Sequence, residues 1–99
     1  MNNTFFLIGR ITKNIEFEEN ENDRKETIIT IATQRPYLNE NGDYDTDFFK
    51  VTLLNMVAES TIEYCKVGDL IGVKGRMQCE NDKIKLVAER VSFLTSKSN

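Results

Sequence analysis

Asn55-Met56-Val57-Ala58-Glu59-Ser60-Thr61-Ile62-Glu63-Tyr64-Cys65 is the one stretch of this sequence with a convincing helical pattern, and its place in the chain decides the fold. Val57, Ile62 and Cys65 are spaced to share one side of a helix, and Asn55 is a candidate cap. Immediately upstream, Asp47 to Leu54 alternates as a strand does. Phe49, Val51 and Leu53 are expected to point inward, and Phe48, Lys50, Thr52 and Leu54 outward. Before that strand, Tyr37 to Thr46 contains the turn signal Asn41-Gly42 and predicts a long exposed loop. Thr27 to Thr33 is almost wholly β-branched and reads as a strand. Residues 18–26, charge-dense and polar, predict a hairpin tip in water. The first segment, Thr4 to Thr12, is rich in strand formers, and Gly9 marks a bulge or sharp bend within it. Downstream of the helix, Val67-Gly68-Asp69 punctuates the chain. A strand from Leu70 to Gln78, a tight tip at Glu80-Asn81-Asp82-Lys83 and a last strand from Ile84 to Leu94 follow.

Three strands, a helix and two more strands predict an all-β protein, a five-stranded OB-fold Greek-key barrel with one short helix between strands 3 and 4. Residues 1–94 form the expected domain, and 95–99 a short polar tail. A chain of 99 residues organises one hydrophobic core, so no second domain is sought. In such barrels the second and third strands and their flanking loops bind oligonucleotides or oligosaccharides.

Composition narrows the chemistry. An apolar content of 39% with 9% aromatic residues supports a packed core rather than disorder. The apolar run Phe5-Phe6-Leu7-Ile8 lacks the basic flank and cleavage site of an export signal, and no run is long enough to cross a bilayer. A soluble, cytoplasmic protein is expected. The sequence has no histidine, which removes the usual base of Ser-His-Asp and Cys-His nucleophiles and leaves Cys65 and Cys79 without zinc-site partners. Both cysteines are read as buried or semi-buried small hydrophobes. Asp43, Asp45 and Asp47 could in principle hold a metal for a nuclease, but they are read as solvated loop acids with no supporting ligand elsewhere. No catalytic residue, metal or cofactor is expected. The net charge of −3 weighs against nucleic acid, whose binding is driven by lysine and arginine. Distribution has to decide.

Several segments in order resemble the bacterial and phage single-stranded DNA-binding proteins, and the likeness covers nearly the whole chain. They are Phe6-Leu7-Ile8-Gly9-Arg10-Ile11-Thr12-Lys13, Ile31-Ala32-Thr33-Gln34-Arg35-Pro36-Tyr37, Gly42 through Glu59 with Thr46-Asp47-Phe48, Lys66-Val67-Gly68-Asp69, Val73-Lys74-Gly75-Arg76-Met77-Gln78 and Val87 to Leu94. The resemblance implies sequence-independent binding and protection of single-stranded DNA in replication, recombination or repair, with bases stacked on exposed aromatic residues. Three stacking positions carry over: Tyr37, Phe48 and, where many relatives have an aromatic ring, Leu54. A fourth stacking aromatic, usual between the last two strands, has no counterpart in Cys79-Glu80-Asn81-Asp82-Lys83. Strand alternation independently puts Phe48, Lys50 and Leu54 on the outer face.

Candidate phosphate contacts are Arg10, Arg35, Lys50, Lys74 and Arg76, while most acids cluster at 16–26 and 40–47. The resemblance also implies a homo-oligomer, a tetramer rather than a dimer, with the first strand offering an open edge. No acidic tip follows Ser96-Lys97-Ser98-Asn99, so replication partners recruited through such a tail are not expected. Two rival readings remain: a replication-restart factor resembling primosomal replication protein N, and an OB-fold protein-interaction module with little DNA affinity.

Overall fold

The computed structural model describes residues 1–13, 16–19 and 25–95, with 16–19 and 25 described by backbone alone. Among the described residues there are six strands and one helix. They are β1 (Phe5–Ile11), β2 (Glu16–Glu19), β3 (Lys25–Leu38), β4 (Tyr44–Leu54), α1 (Asn55–Tyr64), β5 (Leu70–Glu80) and β6 (Lys83–Thr95). The strands follow the order β1-β5-β6-β4-β3-β2, and β1 also pairs with β3, closing a five-stranded ring. All pairs in the ring are antiparallel except β4 with β6, which run parallel at Val51–Leu86 and Thr52–Val87. The barrel with a helix between its third and fourth ring strands is the OB fold expected.

The sixth strand was not expected. β2 pairs with the start of β3, from Glu16 opposite Ile28 to Glu19 opposite Lys25, so strand pairing reaches into the acidic stretch read as a hairpin tip. The remainder of that tip, 20–24, and the tail residues 96–99 lie outside the described residues.

Closure depends on Gly9. β1 pairs with β5 from Phe5 to Arg10 and with β3 at Arg10–Ala32 and Ile11–Ile31, so it must serve two neighbours at one bend. A side chain at Gly9 would collide with the Ala32 carbonyl oxygen and Ile31 Cγ2, so glycine lets the two backbones approach.

Alternating β-branched and aliphatic residues fill the barrel. Ile11, Ile29, Ile31, Val51, Leu53, Ala58, Ile71, Val73 and Ala88 form one buried cluster, bordered by Phe5, Leu7, Val57, Cys65, Leu86 and Val91. Val51 and Leu53 point inward as expected, whereas Phe49 is half-buried and outside that cluster. α1 packs against β3, β4 and β6, burying Ala58 and Thr61. Ile62 is exposed, so the buried face is turned from the Val57-Ile62-Cys65 line. Nor does Asn55 cap the helix. Leu54 holds the cap position without a side-chain bond, and Asn55 takes a positive φ of 52°, a conformation asparagine tolerates better than most residues. No helix of the described residues is long and apolar enough to cross a membrane.

Candidate nucleic-acid interface

β3 and β4 extend well beyond their expected ends and form an arm. Where a long loop was expected, the chain makes a tight turn from Asn39 to Asp43. The Asn39 amide donates to the Asp43 carbonyl at 2.7 Å, and the Asn39 side-chain oxygen accepts from the amides of Asn41 and Asp43. Gly42 supplies the positive φ of 80°. The side chain of one asparagine, by satisfying two turn amides, allows the strands to pair as far as Leu38 opposite Tyr44.

Strand register arranges the outer face in rungs. Leu38 faces Tyr44, Gln34 faces Thr46, Ala32 faces Phe48, Thr30 faces Lys50, Ile28 faces Thr52 and Glu26 faces Leu54. Arg10 joins the Ala32–Phe48 rung from β1. Phe48 is 64% exposed, so its ring is open to solvent on this face. Two shallow grooves meet at this rung. One of about 370 Å³ is lined by Lys13, Thr30, Phe48 and Lys50. The other, of about 430 Å³, runs past Arg10, Ala32, Gln34 and Thr46. Arg10 donates one N–H to the Gly68 carbonyl at 2.9 Å, which anchors the guanidinium at the groove wall. Lys50 has no ion-pair partner among the described residues.

The other sequence-predicted residues lie apart from this rung. Arg35 makes a two-pronged contact with Asp47, Nε to Oδ2 at 3.0 Å and Nη2 to Oδ1 at 2.9 Å, and has Asp45 at 3.7 Å. That hydrogen bonding and charge raise the Arg35 pKa and hold the Asp47 carboxyl below its ordinary value. Asp45 and Asp47 are therefore strand residues engaged in pairing, not free acids of a loop; Asp45 also accepts from the Asn39 side chain. Alternation places Asp45 and Asp47 on the opposite side of β4 from Phe48, and Arg35 with them. Tyr37, 61% exposed, falls on that same side by alternation from both Arg35 and Leu38. No strand pairing places Tyr37 on the Phe48 rung.

Leu54 is separated from Lys50 by an ion pair. Lys85 lies next to Leu86, the partner of Val51, and Glu26 lies opposite Leu54, so their 3.3 Å contact spans β4 at the level of Thr52. Thr52, expected to face water, is accordingly only 5% exposed. Burial acts to lower the Lys85 pKa, but hydrogen bonds and charge from Glu26 and Glu80 outweigh it and leave it raised. Arg76 is engaged by Gln78 at 3.0 Å and Glu89 at 3.7 Å. Lys74 is exposed on another part of the wall, between Phe6 of β1 and Arg90 of β6. Cys65 is half-buried, within the buried or semi-buried role expected of both cysteines, whereas Cys79 is exposed, contrary to it. No group of three or more possible metal ligands occurs among the described residues.

Sequence reasoning missed Tyr44 and Leu38, both exposed and on the Phe48 face. The signal was present: Tyr44 stands four residues before Phe48, the same side of any strand that continues that far.

An OB barrel with an exposed ring, lysines and an arginine on the wall formed by its first three ring strands defines a protein of the OB-fold class, whose barrels bind oligonucleotides or oligosaccharides. Comparison with known proteins narrows this. The profile of the single-strand binding protein family matches residues 2–94, and the chain belongs to that family. It is 37% identical to single-stranded DNA-binding protein 1 of Clostridium acetobutylicum, covering 96% of each chain. It is 31% identical to single-stranded DNA-binding protein B of Bacillus subtilis, covering 98% of this chain and 94% of that one. Among solved structures, the mitochondrial protein Rim1 of S. cerevisiae superposes with a TM-score of 0.82 at 20% identity, covering 99% of this chain and all of the other. A small single-stranded DNA-binding protein from Streptomyces coelicolor gives a TM-score of 0.74 at 19% identity, with 94% of each chain covered. These superpositions establish the shared fold. Proteins of the family bind DNA and are not enzymes.

Proposed function

We propose that this protein binds single-stranded DNA without sequence preference and shields it during replication, recombination or repair, through the outer face of β1, β3 and β4. The observation that carries this reading is Phe48, exposed beside Lys50 and on one rung with Arg10. Stacking on a ring tolerates any base, because every base has a π-face, and is worth about 1–3 kcal/mol per base. Lys50 and Arg10 flank that ring with charge for the phosphates, and each phosphate neutralised releases counterions. Lys74 and Tyr37, remote from this rung, are secondary contacts in this reading, and Arg35, Arg76 and Leu54 contribute less because ion pairs hold or isolate them.

The same reading has the chain act as a homo-oligomer, a tetramer rather than a dimer. Support comes from the Phe5–Gly9 part of β1, unpaired on one side among the described residues, and from the exposed Phe6, Ile8 and Leu94 side chains gathered over Gly72.

Fluorescence titration with labelled oligo-dT at low and high salt tests the proposal. Binding is expected at low salt and weakens as salt rises. Absence of binding at low salt rejects it. Mass in solution with and without the oligonucleotide measures the assembly.

A further inference from the structure

We infer that Tyr44 is a second base-stacking platform, and that bound DNA runs from Phe48 along β4 toward the arm rather than toward Leu54. The inference rests on the function proposed above and adds a direction and a residue to it.

Three features of the face converge on Tyr44. First, Tyr44, Thr46, Phe48 and Lys50 share one side of β4 by alternation, and Tyr44 is 50% exposed beside an exposed cross-strand partner, Leu38. This apolar step continues the Phe48 face. Second, the groove lined by Arg10 and Ala32 of the Phe48 rung also takes in Gln34 and Thr46, the rung between Phe48 and Tyr44, with Ile8, Gly9, Thr33 and Leu70 completing its lining. Gln34 and Thr46, both exposed, offer uncharged donors and acceptors to a base or sugar between the rings. Third, the opposite direction is obstructed. The Lys85–Glu26 pair crosses the face at Thr52 and stands between Lys50 and Leu54, so the outer face is interrupted there by a closed ion pair.

The far side of the arm is a poor alternative. There Asp45 and Asp47 occupy Arg35, so a strand lying along Tyr37 would meet a cation already neutralised. The arm thus carries its carboxylates on one side and its uncharged, aromatic rungs on the other, and the Phe48 groove opens onto the second.

Tyr44 and Phe48 are four strand residues apart, about 13 Å at the usual rise per residue. A DNA chain with a base on each must therefore bridge the gap, and a short oligonucleotide can occupy one ring without reaching the other. The test is a length series of fluorescein-labelled oligo-dT, from the shortest that the unaltered protein binds to well beyond it, read by anisotropy at fixed salt. For Tyr44→Ala, affinity for the longer oligonucleotides falls by about 5- to 150-fold, and affinity for the shortest is unchanged. Tyr44→Leu, which keeps an apolar pair with Leu38 and so preserves the arm, shows the same loss, while Tyr44→Phe binds as the parent does. Phe48→Ala weakens every length, and Tyr37→Ala leaves the series nearly unaltered. If Phe48→Ala weakens binding while Tyr44→Leu matches the parent at all lengths, the inference fails and the proposed function stands. If neither variant changes binding, both fall. If Tyr44→Leu lowers the mass in solution without altering DNA affinity, the Leu38–Tyr44 rung is a contact between copies and the inference is overturned.

Discussion

Replacing Phe48 and Lys50 one at a time should divide binding into a salt-independent and a salt-dependent part. Phe48 is 64% exposed, so roughly one third of its surface is covered in the free protein. A fully buried ring covers about 200 Å², so the covered third is about 70 Å² and contributes under about 2 kcal/mol at ~25 cal/mol/Å². Phe48→Ala therefore lowers the melting temperature by several degrees and leaves the protein folded at 25 °C. Binding loses the stacking contribution of about 1–3 kcal/mol, a rise in Kd of roughly 5- to 150-fold, with the slope of log Kd against log salt unchanged. Lys50→Ala does the reverse. One phosphate contact on a single strand contributes about 0.7 to that slope, so the variant binds more weakly at low salt and converges on the parent as salt rises. The assay is oligo-dT anisotropy at four or more salt concentrations, with circular dichroism confirming the fold of each variant. Parent-like affinity in both variants refutes the site. A flattened slope in Phe48→Ala refutes the division of labour even if affinity falls.

Three further outcomes follow from the same geometry. Gly9→Ala drives β1 away from β3 at the two residue pairs that close the ring, costing on the order of 1–3 kcal/mol by thermal melting. Gly72→Ala, whose new carbon meets Phe6, Leu94 and Ile8 at 3.7–3.9 Å, costs much less, and equal losses in the two variants contradict the account of closure. The Asp47 carboxyl should titrate below its ordinary value by carbon NMR and return toward it in Arg35→Gln. Because the folded pKa is the depressed one, the pair's stabilisation is present above the unfolded carboxylate pKa. It is lost as pH falls through the lowered folded value, so Arg35→Gln should weaken the acid dependence of arm order. Finally, burial, with a smaller contribution from Asp69, pushes the Cys65 thiol up to about 11. At pH 8 only about one Cys65 in a thousand is then thiolate, so iodoacetamide should label the exposed Cys79 first, by intact mass, with Cys65 lagging until the fold is opened.

The barrel could be read from the chain because its determinants are local. The β-branched run Thr27–Thr33, the alternation in Asp47–Leu54, one helical segment and the turn residues around Gly68 and Asn81 each act over a few neighbours, and together they specify the order of elements along the chain, which is that of the OB fold. The arm could not be read this way. Tyr-Leu-Asn-Glu-Asn-Gly-Asp-Tyr-Asp has the composition of a loop, and what makes it paired strand is the Asn39 side chain satisfying two turn amides, together with Arg35 gripping Asp45 and Asp47 across the ladder. Both depend on register, which composition does not encode. The same limit explains why the net charge of −3 misleads. Glu26 and Glu80 are engaged by Lys85, Glu89 by Arg76, and Asp45 and Asp47 by Arg35, so these carboxylates are held in ion pairs away from the Phe48 rung. The pairing takes Arg35 and Arg76 out of the set of free cations as well. What remains beside the ring is Lys13, Lys50 and Arg10, so in the proposed binding mode a phosphate approaching Phe48 meets these three positive charges first. Counting charges along the chain sums the paired with the unpaired, and a bound strand meets chiefly the unpaired.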